Sequence, residues 1–170
     1  MVYEAEAGVR RWLLKAIRES TGEIYGHFGG LSDKWLRWRP ADDEWCLKEV
    51  AAHLRDAEVL YQRQIELIVH EREPQLPHEA IDVLPYERNY RDEALMDLLR
   101  EHEDAREETV WLLRMISEDE WQRTGVHPYR GRVSIADLVQ DLHRHDLEHL
   151  YQARKLRTAI EARRGGTWDR

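Results

Sequence analysis

In the stretch Ser134 to Arg157, SIADLVQDLHRHDLEHLYQARKLR, an uninterrupted helical pattern coincides with metal-ligand spacing. Ile135, Leu138, Leu142, His145, His149 and Leu156 recur at intervals of three, four or seven, so they form one stripe on a 3.6-residue helix. His145 and His149 therefore point into the protein. Their rings sit roughly 40° apart about the axis, an arrangement in which one ion can take both imidazoles. His143 lies roughly 160° from His145 and is predicted to face solvent.

Three further segments carry the same period. The first helix is predicted from about Tyr3 to Tyr25, with Val9, Trp12, Leu13, Ala16, Ile17 and Ile24 inward and glycines at its end. Ser32 caps a short helix that Pro40 terminates. The second long helix runs from Cys46 or Leu47 to about Glu71, its stripe formed by Val50, His53, Ala57, Leu60, Gln64 and Ile68. Pro74, Pro77 and Pro85 make Arg72 to Asn89 an irregular crossover, anchored by Leu76, Ile81, Val83, Leu84 and Tyr86. The third helix, about Asp92 to Ile116, carries His102 on its apolar stripe. A short capped turn follows at Ser117 to Trp121. Thr124 to Val133 allows at most a small extended piece, and Ser134 caps the last helix, which runs to about Arg164. Four amphipathic helices with no strong strand signal predict an all-α four-helix bundle, a single domain over residues 1–170.

Composition narrows the partners. Acidic residues number 34 against 26 basic, a net charge of -8, which disfavours nucleic acid or an anionic membrane surface. The arginine doublets at 10–11 and 163–164 are too short to reverse that. The single cysteine, Cys46, precludes an internal disulfide. No apolar run reaches signal-peptide or membrane-span length, so the expected location is the cytoplasm.

His53, His145 and His149 are polar groups on stripes a bundle core would bury, and each buried imidazole without partners costs on the order of 1–3 kcal/mol. A divalent metal joins three neutral imidazoles and leaves a position open for water or substrate, as in catalytic rather than structural zinc sites. On its own an H-x3-H pair on an apolar stripe is more often structural than metal-binding, and His53 at a matching helical level reverses that balance. His102 is either a fourth ligand or a hydrogen-bonded core residue in another layer, the latter reading being preferred. His127, in the turn before the last helix, could reach a site at the end of the bundle, but in a His-Pro loop it is expected to be exposed, as are His27, His70 and His78. Glu49, Asp56, Asp141, Glu148 and Gln152 flank the three histidines and could orient a ligand or take a proton. Trp38 and Trp45 could line a pocket mouth or simply pack.

Three segments resemble the DinB-like (DinB/YfiT) family: WRPADDEWCLKEVAAHLRDAE from Trp38 to Glu58, RGRVSIADLVQDL from Arg130 to Leu142, and HDLEHLYQARKLR from His145 to Arg157, with H-x3-H followed three residues later by glutamine. The resemblance implies a four-helix bundle, often a homodimer, with a divalent ion such as zinc or nickel held by His53, His145 and His149. Cys46 departs from the family pattern, which commonly has a serine or threonine cap there. A thiol caps poorly, and Cys46 reads as small apolar packing or, alternatively, a reactive thiol.

An ion so held lowers the pKa of bound water or deprotonates a thiol. The resemblance accordingly implies a metal-dependent enzyme acting on a small-molecule substrate, either a hydrolase or a transferase using a low-molecular-weight bacterial thiol. The alternatives are a non-catalytic metal-binding bundle and a dimeric interaction module, for which Leu147 and Leu150 are the expected outward contact surface.

Overall fold

The computed structural model describes residues 2–166. Helix α1 spans Val2–Gly26, α2 Asp33–Leu36 and α3 Leu47–His70. The crossover then contains a 3-10 turn at Ile81–Val83, α4 at Leu84–Glu87 and a second 3-10 turn at Tyr90–Asp92. Helix α5 spans Leu95–Met115 and α6 Glu118–Trp121; strands β1 (Thr124–His127) and β2 (Gly131–Ser134) precede α7, Ile135–Gly166. The four long helices form the bundle, with α1 beside α7 and α3 between α5 and α7. Among the described residues no helix is long and apolar enough to cross a membrane.

Local chemistry explains where the elements begin. Cys46 precedes α3 in extended backbone, and Glu49 does the work its thiol does poorly. The Glu49 carboxylate accepts the Cys46 N–H at 2.8 Å and is held in turn by Arg39 Nε at 2.9 Å. The last helix starts on a reciprocal cap: Ser134 Oγ accepts from Asp137 N at 3.0 Å while the Asp137 carboxylate accepts from Ser134 N at 2.8 Å. Helix α5 begins three residues later than the sequence predicts, because Asp92 is held outside it by Arg37 at 2.7 Å and Glu93 is extended.

The small extended piece is a complete hairpin, β1 pairing antiparallel with β2 from Thr124 opposite Ser134 to His127 opposite Gly131. Gly131 takes the positive φ of +74° that this turn needs. Gln75 in the crossover bridges to Val126, so the hairpin and the crossover form one surface over the side of the bundle. Leu76 and Leu84 anchor the crossover as expected, while Val83 and Tyr86 are exposed.

The inward face of α1 is rotated from the predicted one. Val9 and Trp12 are exposed, and Arg10 is buried in their place. Its guanidinium donates to the carbonyls of Leu113 at 2.8 Å and Ile116 at 2.6 Å, satisfying acceptors that the end of α5 leaves open. Trp12 instead meets His143 edge-on, with ring centroids 5.1 Å apart, so His143 is half-buried rather than solvated. Leu147 is exposed as expected, whereas Leu150 packs against the core.

The core is split by a polar layer. Ile24, Phe28, Val50, Leu54, Leu98 and Leu156 belong to one apolar cluster; Leu13, Ile17, Ile65, Ile68, Leu113 and Leu138 belong to the other. Each long helix contributes polar residues near the junction of its two apolar segments: Ser20 and Thr21, His53 and Glu58, His102 and Arg106, His145, Asp146 and His149. Arg106 donates to Glu58 Oε2 at 2.8 Å and grips Asp146 with both Nη atoms at 2.8 and 3.0 Å. Ser20 and Thr109 complete the carboxylates' bonding at 2.5 and 2.7 Å, so the buried charges are paired and hydrogen-bonded.

Candidate metal centre

Three imidazoles meet on the α3–α7 side of that layer. His53 comes from the middle of α3, whose inward stripe it shares with Val50 and Ala57, and His145 and His149 are one turn apart on α7. His53 Nε2 lies 2.9 Å from His145 Nε2, which lies 3.1 Å from His149 Nε2. Among the described residues these three form a group able to hold a metal ion, their ligand nitrogens all within 4.8 Å of one another. Nitrogens bound to one zinc at ~2.0–2.1 Å stand about 3.3 Å apart in tetrahedral geometry, close to the separations seen.

Proton bookkeeping shows why a cation fits. Nδ1 of His149 is 2.8 Å from Gln152 Oε1, which only accepts there, so the neutral ring carries its proton on Nδ1 and presents a bare lone pair at Nε2. His145 Nε2 faces the Nε2 atoms of both His53 and His149 but offers only one proton or one lone pair. At least one of the two contacts is therefore not a hydrogen bond, an arrangement that a positive ion shared by three lone pairs resolves.

Burial keeps the rings neutral. Desolvation, helped by the field of His149, lowers His53 to about 4. Desolvation and the fields of His149 and His53 lower His145 to about 2. Burial also lowers His149, against the hydrogen bond to Gln152. All three are thus unprotonated, ligand-competent bases at neutral pH.

Two clefts reach this cluster, one at His149 and one at His145. One, about 510 Å³, is lined by Trp45, Tyr86, His149, Gln152 and Lys155. It meets the Gln152 edge of His149, and Trp45 stacks over that ring at 6.0 Å and 11° and also touches His53 at 4.8 Å. The other, about 460 Å³, is lined by Tyr61, Gln64, Asp82, His127, Arg130 and His145 among others. It is on the Nε2 side, because Asp82 Oδ1 lies 3.6 Å from His53 Nε2.

The remaining sequence candidates are placed as follows. His102 stays out of the cluster: it is buried in the polar layer with Nδ1 2.7 Å from Tyr25 Oη, the hydrogen-bonded core role. Of the flanking polar residues, Gln152 alone contacts a histidine of the trio through a hydrogen bond. Glu49 is committed to Arg39 and the α3 cap, Asp56 to Arg55 and Tyr90, and Asp141 to Arg130 and Arg144. Cys46 is fully buried with its thiol pushed up to about 12 by desolvation, which removes the reactive-thiol alternative. Trp45 lines a cleft, whereas Trp38 packs against Trp35 and Arg163. His127 is 9% exposed rather than open to solvent.

Sequence reasoning did not single out Asp82 or the Glu58–Arg106–Asp146 network. Asp82 sits in a proline-bounded crossover with no periodic signal. The network did leave one: Glu58, Arg106 and Asp146 each lie four residues after an inward residue, Leu54, His102 and Leu142.

Comparison with known proteins agrees with this architecture. The family model for the DinB superfamily matches residues 10–153. The uncharacterized protein YuaE of Bacillus subtilis is 24% identical over 164 residues, covering 87% of this chain and 99% of that protein. A protein of Oceanobacillus iheyensis provisionally named a metal-dependent hydrolase is 23% identical over 145 residues, covering 84% of this chain and 81% of its own length. Among solved structures, YfiT of Bacillus subtilis superposes with a TM-score of 0.79 at 15% identity, over 93% of this chain and 89% of YfiT. YfiT is a four-helix bundle of unusual topology, provisionally assigned as a metal-dependent hydrolase.

Proposed function

This chain belongs to the DinB superfamily, and from that premise we propose that it is a divalent-metal-dependent enzyme, a hydrolase, whose ion is held by His53, His145 and His149. The observation that carries the reading is the convergence of three Nε2 atoms that their own protons cannot all satisfy. The provisional names of the Oceanobacillus protein and of YfiT support the reaction class. Three neutral imidazoles suit zinc or nickel.

Such an ion supplies a Lewis acid and lowers the pKa of a nucleophile beside it. The chain supplies the rest. Gln152 Oε1 fixes the tautomer and orientation of His149. Asp82 Oδ1, on the open side of the cluster, is the proton acceptor for the attacking nucleophile. Trp45 stacks on His149 in the other cleft, and substrate approaches along the cleft that Asp82 lines.

The test uses protein purified without a histidine tag and loaded with zinc or nickel, assayed on small esters, amides and lactones, and on electrophiles with a bacterial thiol. Metal-dependent hydrolysis is expected. Asp82→Asn should lower kcat by about 10²–10⁴-fold with metal retained, and His149→Ala should lose both metal and turnover. Equal turnover by wild type and His149→Ala contradicts the proposal; thiol transfer without hydrolysis replaces the reaction class while keeping the site.

A further inference from the structure

The cleft that meets His145 and Asp82 has a second end, and its chemistry is different. His78, His127 and Arg130 line it together. The His78 and His127 rings stand at 74° with centroids 5.2 Å apart, and Tyr129 packs edge-on to His78 at 5.0 Å. The backbone N–H of Tyr129 donates to His127 Nδ1 at 3.3 Å, which leaves the proton of the neutral ring on Nε2 as a donor. The hairpin and the crossover hold the group: His127 ends β1, Arg130 precedes β2, and His78 lies shortly after the Gln75–Val126 bridge.

We propose that this end of the cleft is an oxyanion subsite, in which His78, His127 and Arg130 hold the carboxylate or phosphate group of a small substrate whose reactive part lies beside His53 and His145. The inference rests on the metal-site reading for the identity of the reactive end, and on its own residues for the anion.

The carboxylates of the cleft leave the subsite open to an anion. Asp82 sits beside His53, with Oδ1 3.6 Å from His53 Nε2. Glu79 pairs with Arg88 at 3.8 Å. Asp141 bonds Arg130 but is shared with Arg144 at 2.5 Å. Burial, then the neighbouring His78 and Arg130, hold His127 below its usual range, against the opposing effect of Asp141. An anion placed among these groups has the Arg130 guanidinium and the His127 Nε2–H as donors. A volume of about 460 Å³ suits a small molecule that reaches from one end to the other.

The experiment is a titration of metal-free and zinc-loaded protein with inorganic phosphate and, separately, malonate, read by the ring resonances of His78 and His127. Either anion should move both rings in both forms of the protein. Malonate alone would assign a carboxylate, and phosphate alone a phosphate. His78→Gln, a substitution at an exposed residue, should weaken binding at least tenfold, and Arg130→Gln should do the same, as read from the His127 ring. Absence of a shift with both anions, or unchanged affinity in both variants, overturns the subsite. Because the metal-free arm contains no ion, a shift there stands even if the hydrolase reading fails, and its loss removes the subsite alone.

Discussion

Oε1 of Gln152 lies 2.8 Å from Nδ1 of His149, three residues earlier on the same helix. The contact decides which nitrogen of His149 is free, so in the proposed metal site the third ligand nitrogen is oriented by a residue outside the ligand set. Replacing Gln152 with leucine should weaken zinc binding by about 10–100-fold. Competition titration against a chelating dye measures this, with the urea midpoint as control. Unchanged affinity would show that packing alone orients the ring.

The Glu58–Arg106–Asp146 network is sealed in the middle of the bundle, with all three side chains almost wholly buried. Arg106→Leu strands two carboxylates and should destabilise the fold by about 3–5 kcal/mol. Replacing all three residues with leucine should recover most of that loss, since it removes the charges together. Urea denaturation distinguishes the two variants, and equal stability of Arg106→Leu and wild type would refute the arrangement.

Acid should destabilise the metal-free protein through the histidine trio. Folded His53 titrates at about 4 and His145 at about 2, against about 6.5 unfolded. Between about pH 6.5 and 4 the unfolded chain therefore binds more protons than the folded one. Stability falls as pH drops through that window, by up to about 1.4 kcal/mol per pH unit for each histidine. Urea midpoints from pH 7.5 to 4.5 should show this slope, and His53→Gln should flatten it. A slope unaffected by that substitution would assign acid sensitivity elsewhere.

A tight approach secures the hairpin to the crossover. A Cβ at Gly125 would stand 2.7 Å from Leu76 Cδ2 and 3.0 Å from Ile68 Cγ1. Gly125→Ala should lower stability by about 1–3 kcal/mol, measured as a fall in Tm, and an unchanged Tm would mean that Leu76 swings aside freely.

The parts of this fold legible in the sequence were those that repeat. The stripes containing His53 and His145/His149 span several turns, and their period places the rings inward before any tertiary contact is considered. Single long-range contacts carry no such signal. Trp12 looked buried by period, yet the demand of the α5 carbonyls for Arg10 turned α1 and left Trp12 outside. Asp82 was invisible because its place depends on how the crossover folds back over α3. His127, in a His-Pro loop that looked exposed, is covered because that loop folds into a hairpin against the crossover.

Elemental analysis of untagged protein after zinc or nickel loading and desalting, run beside His53→Ala, His145→Ala and His149→Ala, tests the proposed shared ion directly. About one ion per wild-type chain, falling below about a tenth in each substituted protein, is the expected result for three nitrogens that close on one point. A wild-type chain that retains no metal, or three variants that retain as much as wild type, would contradict it.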